Sequence, residues 1–112
     1  MLFVNSGFGQ EFGTFDVTNT LYGVYPTIGA GYIFTDVRTT GGTFQGYING
    51  TQKNTGTARS TNITQIGFNA PPGGYVYSVQ EAFGYRVLQS SSDRAIYDTN
   101  AAAFFGISGV TQ

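Results

Sequence analysis

The side chains of this 112-residue chain that could carry acid–base chemistry are its six carboxylates. They are Glu11, Asp16, Asp36, Glu81, Asp93 and Asp98. Glycoside hydrolysis needs two carboxyl groups flanking the scissile bond, one of them kept protonated near neutral pH. No two of these acids lie within three positions of each other, although the fold could bring Asp16 or Asp36 close to Glu81. Because the chain also has no His and no Cys, the common general base and thiol nucleophile are missing, and the sequence predicts a protein that is not an enzyme.

Glu81 interrupts an otherwise apolar row in the segment VYSVQEAFGYRVL, residues 76–88. The other members of the row, taken at every second position, are Tyr77, Val79, Phe83, Tyr85 and Val87. Such alternation predicts a half-buried β-strand. Since burying a carboxylate is costly unless it is paired or hydrogen-bonded, we predict that Glu81 is a structural carboxylate. Its expected partners are Arg86, Arg94 or the backbone amides of a following helix.

Two further kinds of site are a calcium site and a surface on which sugar rings stack. Asp36, Asn49, Asn54 and Asn62 carry oxygens that could bind calcium, but Ca²⁺ needs six to eight oxygen ligands and no compact Asp/Asn loop is present. We therefore predict turn and strand-end roles for these four residues, and no cofactor.

Tyrosines could stack on sugar rings, although most aromatic residues of a small β-protein belong to its core. Tyr47 and Tyr75 flank predicted turns, so we predict that they are exposed and name them as candidate glycan contacts.

Composition indicates one all-β domain spanning residues 1–112. Charged residues make up 10% of the chain and aromatic residues 16%, and there are 17 glycines. This composition disfavours helices and favours strands joined by tight turns. The five basic residues are scattered and the net charge is −1, which argues against nucleic-acid binding. No apolar run approaches the length of a membrane span.

The clearest local signal is a hairpin in the segment 41–57, where Asn49-Gly50 suits a type I′ turn between two strands. Other strands are predicted at 1–4, 11–17, 21–25, 31–38 and 62–68, in addition to 76–88, and Gly13 is a candidate bulge. The serines before Asp93 are helix N-cap candidates, and Gly106 is placed to end the helix. The helix itself is predicted over 95–105, with Ile96, Ala103 and Phe104 at helical spacing. This order of elements predicts an antiparallel β-sandwich or jelly roll with one short C-terminal helix.

Two stretches resemble the concanavalin A-like lectin/glucanase superfamily, specifically the laminin-G-like jelly-roll domains of bacterial and phage surface proteins. The stretch 44–52, FQGYINGTQ, is similar to the family's hairpin, and 77–85 followed by 88–107 is similar to its closing strand and helix. Val79, Glu81 and Tyr85 match the family's closing-strand positions, and Gly106-Ile107 matches its finish. The resemblance covers about residues 30–107, and such domains have further strands before this point. It therefore implies the C-terminal part of a jelly roll, or a minimal version of one.

The resemblance implies a non-catalytic assembly module of a virion or cell surface, of the phage-decoration or tail-fibre type. A sandwich without its early strands would leave strand edges unpaired, and unpaired edges recruit other chains. We therefore expect other protein subunits, of the same or a different chain, as partners, with glycans as a further contact. The alternatives are a carbohydrate-binding module and, less favoured, a fragment of a glycoside hydrolase.

Overall fold

Seven strands and one helix form the described part of the molecule. The computed structural model describes residues 2–5, 11–15, 19–21, 23–25, 27, 29–39, 42–57, 68–69, 80–82, 84–85 and 87–111. The strands are β1 (Leu2–Asn5), β2 (Glu11–Phe15), β3 (Asn19–Leu21), β4 (Phe34–Arg38), β5 (Thr43–Ile48), β6 (Thr51–Thr57) and β7 (Phe68–Asn69), and the helix is α1 (Ser91–Phe105). The prediction of a mostly β chain with a C-terminal helix is confirmed.

The predicted hairpin is formed by β5 and β6. Asn49 and Gly50 connect the two strands with φ angles of 51° and 78°, the positive values that a type I′ turn requires at both central residues. The pairing contains one irregularity, because Gly46 faces Asn54 while Tyr47 faces Gln52. The residue between these two partners on β6 is therefore an extra one, which is the arrangement of a β-bulge.

The three-stranded antiparallel sheet, in the order β4-β5-β6, holds the core of the described residues. Phe44 and Ile48 are 2% and 3% exposed, and Val24, Tyr32 and Phe34 pack against them. Side chains at alternate positions of a strand share a face, so Phe44 and Ile48 point to the same side of β5. This face of β5 buries the two large apolar side chains of the hairpin, and Phe34 of β4 packs against them.

The second sheet has the order β3-β2-β1-β7. Its β1 pairs with β7 in parallel, so the prediction of a wholly antiparallel arrangement is wrong at this pair. The predicted bulge at Gly13 is also wrong, because Gly13 pairs in continuous register with both Phe3 and Leu21. The strand predicted over 21–25 instead ends at Leu21, since Gly23 adopts a positive φ of 66° that turns the chain out of the extended conformation.

Helix α1 is stabilised at both ends as its sequence predicts. The Ser90 hydroxyl oxygen accepts a hydrogen bond from the Asp93 amide at 3.1 Å, and the acidic Asp93 lies in the first turn. Both features stabilise a helix N-terminus. At the other end Gly106 has a φ of 67° and its N–H donates to the Ala102 carbonyl. The predicted helix and both its caps are confirmed, and α1 begins at Ser91, about one turn earlier than the sequence suggested.

Candidate functional site

The Asn49-Gly50 turn joins the hairpin to the start of β4 and to the C-terminal tail. The Asn49 side-chain oxygen accepts a hydrogen bond from the Ile33 amide at 2.8 Å, and the Asn49 amide donates to the Ile33 carbonyl at 2.9 Å. The Thr111 amide donates to the Asn49 carbonyl at 2.9 Å, and the hydroxyls of Thr51 and Thr111 lie 2.6 Å apart. The turn is thus a junction for three segments, which local turn chemistry alone did not reveal.

Helix α1 meets the sheet beside this turn through polar side chains. The Arg94 guanidinium lies 5.3 Å from the ring centroid of Tyr47, a cation–π distance, and Arg94 also donates to the Gln89 carbonyl at 2.7 Å. Asp98 is 7% exposed and is the buried charged side chain among the residues described. Burial raises the pKa of the Asp98 carboxyl, and the positive charge of Arg94 partly offsets this rise. A cavity of about 50 Å³ lies between the turn and this side of the helix.

Glu81 does not occupy the inward-facing strand position that its sequence context predicts. The described residues 80–82 and 84–85 are not in a strand, and Glu81 is exposed. The expectation that it faces inward is therefore wrong, because alternation produces burial only where a strand pairs with a neighbour, and an exposed carboxylate keeps its hydration. Arg94, one of its expected partners, is directed instead at Gln89 and Tyr47. Arg86, the other, lies outside the described residues.

The structure describes one of the two candidate glycan contacts, Tyr47. Tyr47 is half-buried, its ring lies under the Arg94 guanidinium, and its hydroxyl donates to Gln45 at 3.0 Å. This arrangement occupies one face of the Tyr47 ring. Tyr75 lies outside the described residues. Glycan contact through either tyrosine stays a prediction.

The candidate calcium ligands are engaged in local hydrogen bonds where they are described. An Asp36 carboxylate oxygen lies 2.9 Å from an Arg38 guanidinium nitrogen, and the Asn54 side-chain oxygen accepts from the Thr55 amide at 2.7 Å. The Asn49 side-chain oxygen accepts a hydrogen bond from the Ile33 amide. Asn62 lies outside the described residues. Among the residues described, no group of three or more His, Cys, Asp or Glu side chains is placed to hold a metal ion.

The side of α1 that points away from the sheet carries three of the four large apolar residues of the helix, together with the acidic Asp93. Phe104 is 83% exposed and Ile96 is 59% exposed, and Tyr97 is exposed beside them. Positions 96, 100, 103 and 104 follow the i, i+4, i+7, i+8 spacing of one helix face, and all four are exposed. We call Ile96, Tyr97, Asn100, Ala103 and Phe104 the outer face of α1. In a surface helix the large apolar residues normally face the core, whereas here Phe105 is the one among them that lies on the half-buried inner side.

A pair of exposed tyrosines lies beside the outer face. The ring centroids of Tyr85 and Tyr97 are 5.5 Å apart at an interplanar angle of 34°. A hydrogen bond with Tyr97 raises the pKa of Tyr85, and the nearby charge of Glu81 adds to the rise. Val87 and Leu88, which precede the helix, are also exposed. The prediction that Tyr85 and Val87 belong to a half-buried row is therefore wrong.

No protein-family model, curated protein or solved structure matches this chain. The resemblance to laminin-G-like jelly rolls therefore stays a prediction. Within the part of the chain that the structure describes, no helix is both long and apolar enough to span a membrane.

Proposed function

We propose that this chain is a non-catalytic structural module of jelly-roll type that joins other protein subunits at a virion or cell surface. The observation that carries the proposal is the outer face of α1, where Ile96 and Phe104 point to solvent while Asp98 of the same helix is buried. Exposed apolar groups that cluster on one surface are typical of interaction sites. A helix that turns its apolar side outward is stabilised when a partner covers that side.

The edge strands of the three-stranded sheet support the same proposal. Among the strands that the structure describes, β4 and β6 each pair with β5 and are the edge strands of this sheet. Strand β6 extends over Thr51–Thr57 with mostly exposed residues. The Thr55 amide donates a hydrogen bond to the Asn54 side-chain oxygen at 2.7 Å. Edge strands pair readily with strands of other chains.

The described aspartates have structural surroundings, which supports a structural rather than a catalytic role for them. Asp36 forms an ion pair with Arg38 at 2.9 Å. Asp93 accepts a hydrogen bond from the Ser90 hydroxyl at 2.6 Å at the start of α1. Asp98 is buried beneath the hairpin turn. Asp36 and Asp93 thus contribute to the local structure in which they lie.

The proposal is tested by measuring the molar mass of the purified protein across a wide concentration range, by size-exclusion chromatography with light scattering. We expect species heavier than the 12.0 kDa of one chain, increasing with concentration. Thr55→Pro, which removes a backbone amide of β6, reports whether this edge strand takes part in the assembly. A strictly monomeric protein at all concentrations would count against a module that assembles with itself.

Carbohydrate binding is the second candidate, and the Tyr85–Tyr97 pair is the observation that favours it. Two exposed aromatic rings 5.5 Å apart offer the apolar, hydrogen-bonding surface that suits sugar rings. Tyr97→Ala should abolish binding to an oligosaccharide array. Tyr25→Ala, at an exposed tyrosine outside this pair, is the control. Absence of binding by the unmodified protein would remove this candidate.

A further inference from the structure

We propose that Tyr85 and Tyr97 are the site of an intramolecular dityrosine cross-link, made by a one-electron oxidant of the haem peroxidase class acting with hydrogen peroxide. In such a cross-link one carbon–carbon bond joins the two phenol rings. It would tie helix α1 to the segment that precedes it, in a chain that has no cysteine for a disulfide. This modification is independent of the proposed assembly with other subunits.

The two rings are close enough to couple. Their centroids lie 5.5 Å apart at an interplanar angle of 34°, a distance typical of an aromatic pair. A hydrogen bond with Tyr97, which raises the pKa of Tyr85, joins the two side chains. Two phenols that pointed away from each other across such a bond would have their centroids much farther apart. The rings therefore approach each other along their hydroxyl-bearing ends, which brings together the ortho carbons that adjoin the hydroxyl groups.

Both rings are accessible to an oxidant in solution. Tyr85 is 52% exposed and Tyr97 is 39% exposed. Removal of an electron leaves a positive charge on a phenol until its proton departs, and water and a nearby negative charge both stabilise that charge. The exposed carboxylate of Glu81 lies near Tyr85 and supplies such a negative charge. The surroundings of the pair therefore favour its oxidation.

The composition of the chain directs oxidation to tyrosine. The sequence has no Cys, no Trp and no His, and it has one Met against eight tyrosines. Thiols and thioethers are side chains that oxidants readily modify, and indole rings compete with phenols for one-electron oxidation. Because these competitors are nearly absent, phenols are the main electron donors of this chain. Among the ring contacts between described residues, the contact of Tyr85 with Tyr97 is the one that joins two tyrosines.

The coupling removes two electrons and two protons from the protein. Each tyrosine loses one electron and its phenolic proton, and the two phenoxyl radicals then form a bond between their ortho carbons. The hydrogen on each of these carbons leaves as a proton while the phenolic oxygen of the same ring takes one up, which restores both aromatic rings and both hydroxyl groups. The two electrons and two protons released overall reduce one molecule of hydrogen peroxide to two molecules of water.

The cross-link closes a loop at the start of α1. Tyr97 belongs to the helix and Tyr85 lies twelve positions before it, so the loop includes the helix N-cap Ser90. Closing a loop lowers the conformational entropy of the unfolded chain. The cross-linked protein should therefore unfold at a higher urea concentration than the untreated protein.

Oxidation of the full chain by a plant haem peroxidase and hydrogen peroxide tests the proposal. The expected product has dityrosine fluorescence, migrates as a single 12.0 kDa chain on a denaturing gel, and is lighter by two hydrogen atoms in mass spectrometry. Trypsin, which cleaves after Lys and Arg, should release the peptide 60–86 linked to the peptide 95–112. A cross-link between two chains would instead double the mass on the gel.

Removal of single hydroxyl groups identifies the two partners. Tyr85→Phe and Tyr97→Phe keep the rings and should each lose the single-chain fluorescent product, because phenylalanine forms no phenoxyl radical. Tyr25→Phe is the matched control, since Tyr25 is 58% exposed and an oxidant that selected tyrosines by exposure alone would modify it first; its replacement should leave the product unchanged. Circular dichroism confirms that the variants are folded. Absence of dityrosine, dityrosine between chains only, or a single-chain product undiminished in Tyr85→Phe and Tyr97→Phe would overturn the proposal.

Discussion

Replacing Gly50 by Ala should destabilise the protein through two separable effects. The first is local, since Gly50 has a φ of 78° and a residue with a Cβ pays about 1–2 kcal/mol in that conformation. The second is tertiary. A Cβ at Gly50 would stand 3.0 Å from the Thr111 carbonyl carbon and closer still to its oxygen, so the C-terminal tail must move away from the turn.

The size of the tertiary effect follows from what the tail loses. When it moves, the Thr111 amide gives up its 2.9 Å bond to the Asn49 carbonyl, and the Thr111 hydroxyl gives up its 2.6 Å contact with the Thr51 hydroxyl. Each such hydrogen bond contributes about 0.5–1.5 kcal/mol net. The tail can relieve the clash by leaving the turn, so the added cost is limited to about 1–3 kcal/mol, the sum for these two bonds.

Gly106→Ala is the matched control for the local effect. Gly106 has a nearly equal φ of 67°, and a Cβ placed there would have no atom within 4 Å. Gly106→Ala should therefore cost only the conformational strain of about 1–2 kcal/mol. Urea unfolding followed by circular dichroism gives the free energy of each variant.

Removal of residues 111–112 completes a double-mutant cycle. In the shortened chain the loss of unfolding free energy caused by Gly50→Ala should fall to the loss caused by Gly106→Ala. Equal costs for the two glycine variants in the full chain would refute the reasoning. So would a Gly50→Ala cost that removal of the tail leaves unchanged.

Two further predictions concern the carboxylates. Burial raises the pKa of Asp98 in the folded protein above its unfolded value of about 3.9. The contribution of this group to the unfolding free energy is therefore complete below the unfolded pKa. It is lost as pH rises through the folded pKa. In the Asp98→Asn variant the unfolding free energy should therefore decline less with rising pH, and at pH 7 the variant should be more stable than the unmodified chain. Identical pH profiles of the two proteins in urea unfolding would contradict this. Glu81 is exposed, so Glu81→Ala should change the unfolding free energy by no more than about 0.5 kcal/mol; a loss above about 1.5 kcal/mol would instead show that Glu81 has a buried partner after all.

The features that the sequence determined by itself are those that local chemistry decides. Asn49 and Gly50 tolerate positive φ angles, so the turn and the two strands beside it are encoded within a few residues. The ends of α1 are encoded in the same way, by the Ser90 hydroxyl at one end and the left-handed Gly106 at the other. Each of these features needs only neighbours in the sequence, and each is present as predicted.

Tertiary structure alone decided which surfaces face inward. The alternation around Glu81 predicted a buried strand, yet Glu81 and Tyr85 are exposed, because alternation specifies a face only after a strand has found a partner. Helix α1 carries an apolar stripe that periodicity would place against the core. Instead Asp98 is buried and Phe104 is 83% exposed, because the polar side of the helix fits against the Asn49-Gly50 turn. Burial depends on what lies opposite a residue in space, and the spacing of residues along the chain does not contain that information.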